Sequence, residues 1–181
     1  MSAHLPVALD LARLRVAVIG DGPRAVRRIG LLGEGGARDV LRLAADSTIR
    51  AFAGVNLVFV ADLDADTAHA VATRARAAGA LVNVEDVTAE CDFQSAAVVR
   101  RGDLTLGVWT NGTCPILARV LKQWLDRALP ADFGRVVEAL SRQRDRLRRR
   151  RSGNLVLEAA ANRAVARLTA PPLHSATNAV N

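Results

Sequence analysis

Short apolar runs alternate along the chain with segments of helical periodicity, and that alternation predicts most of its elements. After a short apolar lead-in, residues 15–19 form the first strand-type run, and residues 23–33 place Val26, Ile29 and Leu32 on one helical face. Gly35 and Gly36 follow as a glycine stop. Residues 40–43 read as a second strand, residues 47–52 as one or two helical turns, and residues 55–60 as a third strand. A full strand–helix–strand unit takes about thirty residues, so the passage between the second and third strands is too short for a regular one. Residues 62–78 are predicted helical, with Gly79 as the stop. Asp62, Asp64 and Asp66 stand near its start and Arg74 and Arg76 near its end, the order that the helix dipole favours. Residues 81–84 give a fourth strand, ending at Glu85-Asp86.

Residues 95–100 and 104–109, joined by Arg101-Gly102-Asp103, predict a β-hairpin. Thr110-Asn111-Gly112-Thr113-Cys114-Pro115 then opens an amphipathic helix that Pro130 stops. Thr113 or Cys114 can cap it, and Pro115 suits its first turn. A further helix spans residues 132–151, Gly153 breaks it, and residues 154–168 are a last helical segment. Strand and helix alternate in this way in an α/β doubly wound sheet, here reaching to about Val108. The helices beyond have no strands to cover and suit a dimerisation arm.

The chemistry begins where the first strand ends. Gly20-Asp21-Gly22-Pro23-Arg24-Ala25 is a Gly-x-Gly-x-x-Ala turn between a strand and a helix. In such a turn the first glycine permits the bend, the second lets a pyrophosphate approach the backbone, and the small third residue lets the helix lie close to the strand. The free N–H groups and dipole of the helix then hold the anion. The expected organisation is a Rossmann-like dinucleotide-binding domain over residues 1–109, a helical dimerisation and substrate-covering region over 110–169, and a flexible tail over 170–181. In open α/β sheets ligands bind at the carboxyl ends of the strands. Asn83-Val84-Glu85-Asp86 and the Thr110–Thr113 turn reach that edge too. Asp86 is a candidate general base, or else a loop carboxylate capping the following turn. Residues 110–113 offer backbone N–H groups to a substrate carboxylate, or form a plain helix cap.

Composition narrows the partners. Among 181 residues, Lys+Arg number 25 and Asp+Glu 18, a formal charge of +7. Nearly all of the cations are arginine, which grips carboxylate and phosphate in two-pronged fashion, so an anionic partner is expected. The arginines at 142, 144, 146 and 148–151 read as a solvated helix face, or as an attractor for polyanions. With no Tyr and few Phe and Trp, the stacking residues of a single-strand nucleic-acid binder are missing. Cys91 and Cys114 lack metal-type spacing and read as free thiols. His4, His69 and His174 are scattered, so no metal site is expected. The longest uncharged apolar run, residues 51–61, is too short for a bilayer, and the first residues do not resemble a signal peptide. A cytoplasmic protein is expected.

Taken together, the glycine turn, Asn83-Val84-Glu85-Asp86, Phe93 and Asn111-Gly112-Thr113-Cys114-Pro115-Ile116-Leu117-Ala118-Arg119 resemble the N-terminal module of siroheme synthase. The stand-alone relatives of that module are precorrin-2 dehydrogenase/sirohydrochlorin ferrochelatase. The likeness covers residues 5–151. It implies an NAD-binding α/β domain followed by a helical portion in an intertwined homodimer. It implies NAD-dependent oxidation of precorrin-2 to sirohydrochlorin, and ferrous iron insertion to give siroheme. Asp86 takes the catalytic position tied to both reactions. Gly20, Asp21, Gly22, Pro23, Arg24, Ala25 and Asp62 fall to the cofactor, and Asn83, Thr110, Asn111, Gly112 and Thr113 to the tetrapyrrole. The many carboxylates of that substrate match the arginine excess. The passage after the second strand is shorter than the family's, so a second reading is a chelatase-only or non-catalytic tetrapyrrole- or nucleotide-binding relative.

Overall fold

The computed structural model describes residues 4–149 and 155–168. The chain forms two compact units that divide between Gln94 and Ser95. The first holds four parallel strands: β1 (Arg15–Ile19), β2 (Asp39–Leu43), β3 (Leu57–Val60) and β4 (Leu81–Val84), in the order β2-β1-β3-β4. Helix α1 (Pro23–Glu34) links β1 to β2, and α2 (Ala65–Ala77) links β3 to β4. Val16 stands beside Val40 on one side and Leu57 on the other.

The continuous apolar runs of β1 and β3 follow from burial on both sheet faces. Ala17, Ile19, Val58, Val60 and Val82 pack on one face with Val71, Ala72 and Ala75 of α2. Val16, Val18, Leu57 and Phe59 pack on the other with Ala25 and Leu32 of α1. Each fully buried valine or phenylalanine contributes roughly 1.5–3 kcal/mol.

The link from β2 to β3 contains a single 3-10 turn, Ile49–Phe52. Its anchor is Phe52, wholly buried in the α2 face of the core. Arg74 of α2 donates to the Ala45 carbonyl and ties the link down. At the other side of the sheet, residues 85–93 fold back along β4. Asp92 N–H donates to the Val82 carbonyl at 2.8 Å, and its carboxylate accepts from Val82 N–H at 2.9 Å. An edge strand left bare would invite pairing with other chains, and this strap covers it.

The second unit opens with the antiparallel hairpin of β5 (Ala97–Arg101) and β6 (Leu104–Val108). Helices α3 (Pro115–Ala128), α4 (Phe133–Arg149) and α5 (Leu155–Ala166) follow. Two expectations are corrected here. The hairpin is a sheet of its own rather than a continuation of the parallel sheet, whose β4 edge the 85–93 strap already takes. The helices beyond residue 110 do have strands to cover, because α3 packs on both strands of the hairpin. Arg101 clamps the far end of α3, donating to the carbonyls of Asp126, Leu129 and Pro130. Gly102 and Gly134 let the hairpin turn and the start of α4 meet backbone to backbone; a Cβ on Gly134 would lie 3.0 Å from Gly102 N. Arg142 pairs with Glu138 one turn away. Arg150, Arg151 and the 170–181 segment lie outside the described residues.

Candidate functional site: a glycine cradle joined to a carboxylate

At the carboxyl end of β1 the chain turns through Gly20, whose φ is +126°. A Cβ there would lie 2.0 Å from the Ala61 carbonyl oxygen, so the turn requires glycine. Gly22, at an ordinary φ of −82°, precedes α1, and Pro23 occupies the first turn. Ala25 is fully buried, which lets α1 lie against the sheet.

The space that Gly22 leaves free of a side chain is filled by Asp62, just past the end of β3. A Cβ on Gly22 would stand 2.5 Å from the Asp62 carboxyl carbon. Asp62 Oδ2 accepts from Ala25 N–H at 2.9 Å, one of the N–H groups that the first helical turn leaves without an internal acceptor. Its side chain is only 17% exposed, and its other oxygen lies 4.0 Å from Arg24 Nε. Arg24 in turn donates through Nη1 to Asp86 Oδ2 at 2.5 Å. Asp62 and Asp86 both hold left-handed backbone, at φ 57° and 64°. Arg24 thus lies between carboxylates delivered by the ends of the adjacent strands β3 and β4. The Asp86 side chain is 72% exposed, open to a reacting partner.

One turn along α1, the Arg28 guanidinium stacks over the Phe59 ring at 4.7 Å. Phe59 meets Phe93 edge to face, with centroids 5.2 Å apart. Burial pulls the Arg28 pKa below the ordinary arginine value, Glu85 opposes that and Arg27 adds to it.

Asn83 is nearly buried, and its amide donates to the Phe93 carbonyl at 2.9 Å and to Cys91 Sγ at 3.4 Å. It fastens the loop that carries Asp86. Cys91 also bonds the Val84 backbone on both sides, accepting from N–H at 3.3 Å and donating to the carbonyl at 3.2 Å. Burial pushes its thiol pKa up. Arg76 of α2 grips the same loop, forking onto Asp92 and reaching the carboxylate and carbonyl of Glu90. His69 Nδ1 lies 2.7 Å from Glu90. Hydrogen bonds from His69 and then Arg76 hold Glu90 below the usual glutamate range.

In the second unit, Asn111 and Gly112 hold left-handed backbone at φ 51° and 76°. Thr113 donates through its N–H and its hydroxyl to the Thr110 carbonyl, at 2.9 and 2.5 Å. Thr110 Oγ1 accepts from Cys114 N–H at 3.1 Å, which fastens the turn that precedes α3. Cys114 holds the cap position without a side-chain bond of its own.

The structure therefore brings Gly20, Gly22, Arg24, Ala25, Asp62 and Asp86 together in the first unit. Asp21 is exposed on the turn, and residues 110–113 form a turn of their own in the second unit. Sequence reasoning missed the Arg24–Asp86 pair and the Arg28 stack. Only the i, i+4 spacing of Arg24 and Arg28 on one helix hinted at a shared face. Among the described residues no group of three or more His, Cys, Asp or Glu side chains is gathered to hold a metal ion.

A glycine turn of this geometry, at the point where the strand order reverses between β1 and β3, defines a dinucleotide-binding unit of the Rossmann class. Residues 7–97 match the model of a family described as "Putative NAD(P)-binding", and the chain belongs to that family. It is 33% identical over 166 residues to siroheme synthase 1 of Pectobacterium atrosepticum, covering 81% of this chain and 35% of that protein. It is 32% identical over 164 residues to the siroheme synthase of Methylococcus capsulatus, covering 80% and 35%. The chain thus spans about a third of the length of these relatives. A solved structure of the precorrin-2 dehydrogenase SirC shares the fold, with a TM-score of 0.65, 22% identity and 88% of each chain covered. No helix among the described residues is long and apolar enough to cross a membrane.

Proposed function

We propose that the protein serves siroheme biosynthesis as an NAD-dependent precorrin-2 dehydrogenase, converting precorrin-2 to sirohydrochlorin. The observation that carries this reading is the 2.5 Å contact between Arg24 of the glycine turn and Asp86 beyond β4. It puts a cofactor cradle and an accessible carboxylate side by side. The names of the siroheme synthases and of SirC supply the substrate class.

The backbone fits a dinucleotide. Gly22 presents no Cβ, and the N–H groups of α1 face the space that a pyrophosphate oxygen would enter, once the Asp62 side chain has turned away. When bound, the nicotinamide supplies the hydride acceptor. Asp86 takes the proton that the macrocycle releases as its C–H bonds are lost. Arg24 holds the Asp86 carboxylate in place. Residues 110–113 border the tetrapyrrole, and its carboxylates pair with arginines. Ferrous iron insertion would use the same base, since protons must then leave the pyrrole nitrogens. A homodimer is supported by the uncovered apolar side chains of α3, with Ile116 65% and Leu117 48% exposed. The protein is read as cytoplasmic. The second reading, a relative without dehydrogenation, draws its support from Asp62 in the cradle and from the short β2–β3 link.

Asp86→Asn tests the assignment. Asparagine tolerates left-handed backbone, so the loop keeps its shape while the base is lost. Turnover is expected to drop at least about 100-fold, with NAD and tetrapyrrole binding retained. An unchanged rate would remove Asp86 from the chemistry.

A further inference from the structure

Asp62 makes the contacts that a phosphate makes in a dinucleotide cradle. One carboxylate oxygen accepts from Ala25 N–H at 2.9 Å, the carboxyl group fills the space over Gly22, and the second oxygen faces Arg24 at 4.0 Å. A carboxylate and a phosphate oxygen seek the same N–H groups and the same positive helix end. They cannot share them, because two anions would then stand within a few ångströms of each other.

We propose that Asp62 is a tethered competitor of the dinucleotide pyrophosphate. Its carboxylate closes the cradle in the ligand-free protein and must turn out before a phosphate can land. The side chain is anchored by one backbone bond and the Arg24 guanidinium alone among the contacts described, and rotation about χ1 releases both. Asp62 then ceases to screen Arg24 from the incoming anion. This rests on the cofactor reading above and deepens it. The family resemblance implies a cofactor ligand at Asp62; in this proposal it sets the threshold for cofactor entry and stands outside the ligand set.

The test is calorimetric titration of the whole chain with inorganic pyrophosphate and, separately, with NAD. Asp62→Ala should tighten both by about tenfold, the scale of a favourable charge at a helix N-terminus. Asp62→Asn keeps an acceptor oxygen and the left-handed backbone preference but not the charge, so it should tighten them less. It also serves where the alanine variant fails to fold. Asp86→Asn removes the other carboxylate on Arg24 while leaving the cradle filled, and should tighten binding less than Asp62→Ala. Unchanged or weaker binding in both Asp62 variants would overturn the proposal. So would equal tightening in Asp86→Asn, which would mark a general charge effect. Tighter pyrophosphate with no NAD binding in any form would leave the competitor standing and remove the dehydrogenase reading. Failure of wild type and variants to bind either probe would overturn both.

Discussion

At Gly20 the backbone runs directly under the Ala61 carbonyl, and a methyl group there would stand 2.0 Å from that oxygen at a φ of +126°. Gly20→Ala is therefore expected to cost roughly 3 kcal/mol or more, from backbone strain and steric overlap together. A urea melt within a fraction of a kcal/mol of wild type would show that the turn adapts. The two cysteines differ in the same local terms. Cys91 is tied to Val84, and burial raises its pKa, whereas Cys114 is exposed. Since the thiolate is the reactive form, a disulfide reagent should modify Cys114 faster than the half-buried Cys91; equal rates in the folded protein would contradict this placement. At this scale the sequence showed the glycine turn, because its residue types follow from a local backbone need. It did not show that Asp62 fills the turn, because that contact joins residues 37 apart and exists only once β3 lies beside β1.

Among elements, the strap of residues 85–93 joins β4 to α2 and carries Asp86. Glu90 contributes through a pKa that its bonds to His69 and then Arg76 hold below the usual glutamate range. A carboxylate depressed in the folded state stabilises it above its unfolded pKa, and that contribution is lost as pH falls through the lower folded value. Wild type should therefore exceed Glu90→Gln in urea midpoint at neutral pH, with the gap closing under acid; a constant gap would mean that Glu90 ionisation does not matter to the strap. In the second unit, Arg101 supplies the bonds between the hairpin and the end of α3. Arg101→Ala should cost about 2 kcal/mol by leaving the Leu129 and Pro130 carbonyls without their charged donor, read as a lower thermal midpoint. Strand and helix spans were largely legible from periodicity, since β1 and β4 fall on the residues that the apolar runs mark. The strap was not, because its bonds come from a cysteine, an asparagine and an aspartate whose partners lie across the sheet edge.

For the whole molecule, the parallel sheet, the glycine turn and the helices after residue 110 were readable from pattern, and the division of the chain was not. The hairpin runs carry ordinary strand signals, and nothing in alternation tells which sheet a strand will join. Here the covered edge of β4 and the packing of α3 on β5 and β6 decide it. We propose that the cradle and Asp86 of the first unit together serve NAD-dependent oxidation of precorrin-2. The most direct measurement is an anaerobic incubation of the purified protein with precorrin-2, with and without NAD, following NADH and the tetrapyrrole spectrum together. Sirohydrochlorin and NADH are expected in equal amounts, and neither product when NAD is left out. A folded protein that binds the tetrapyrrole but forms no NADH would contradict it.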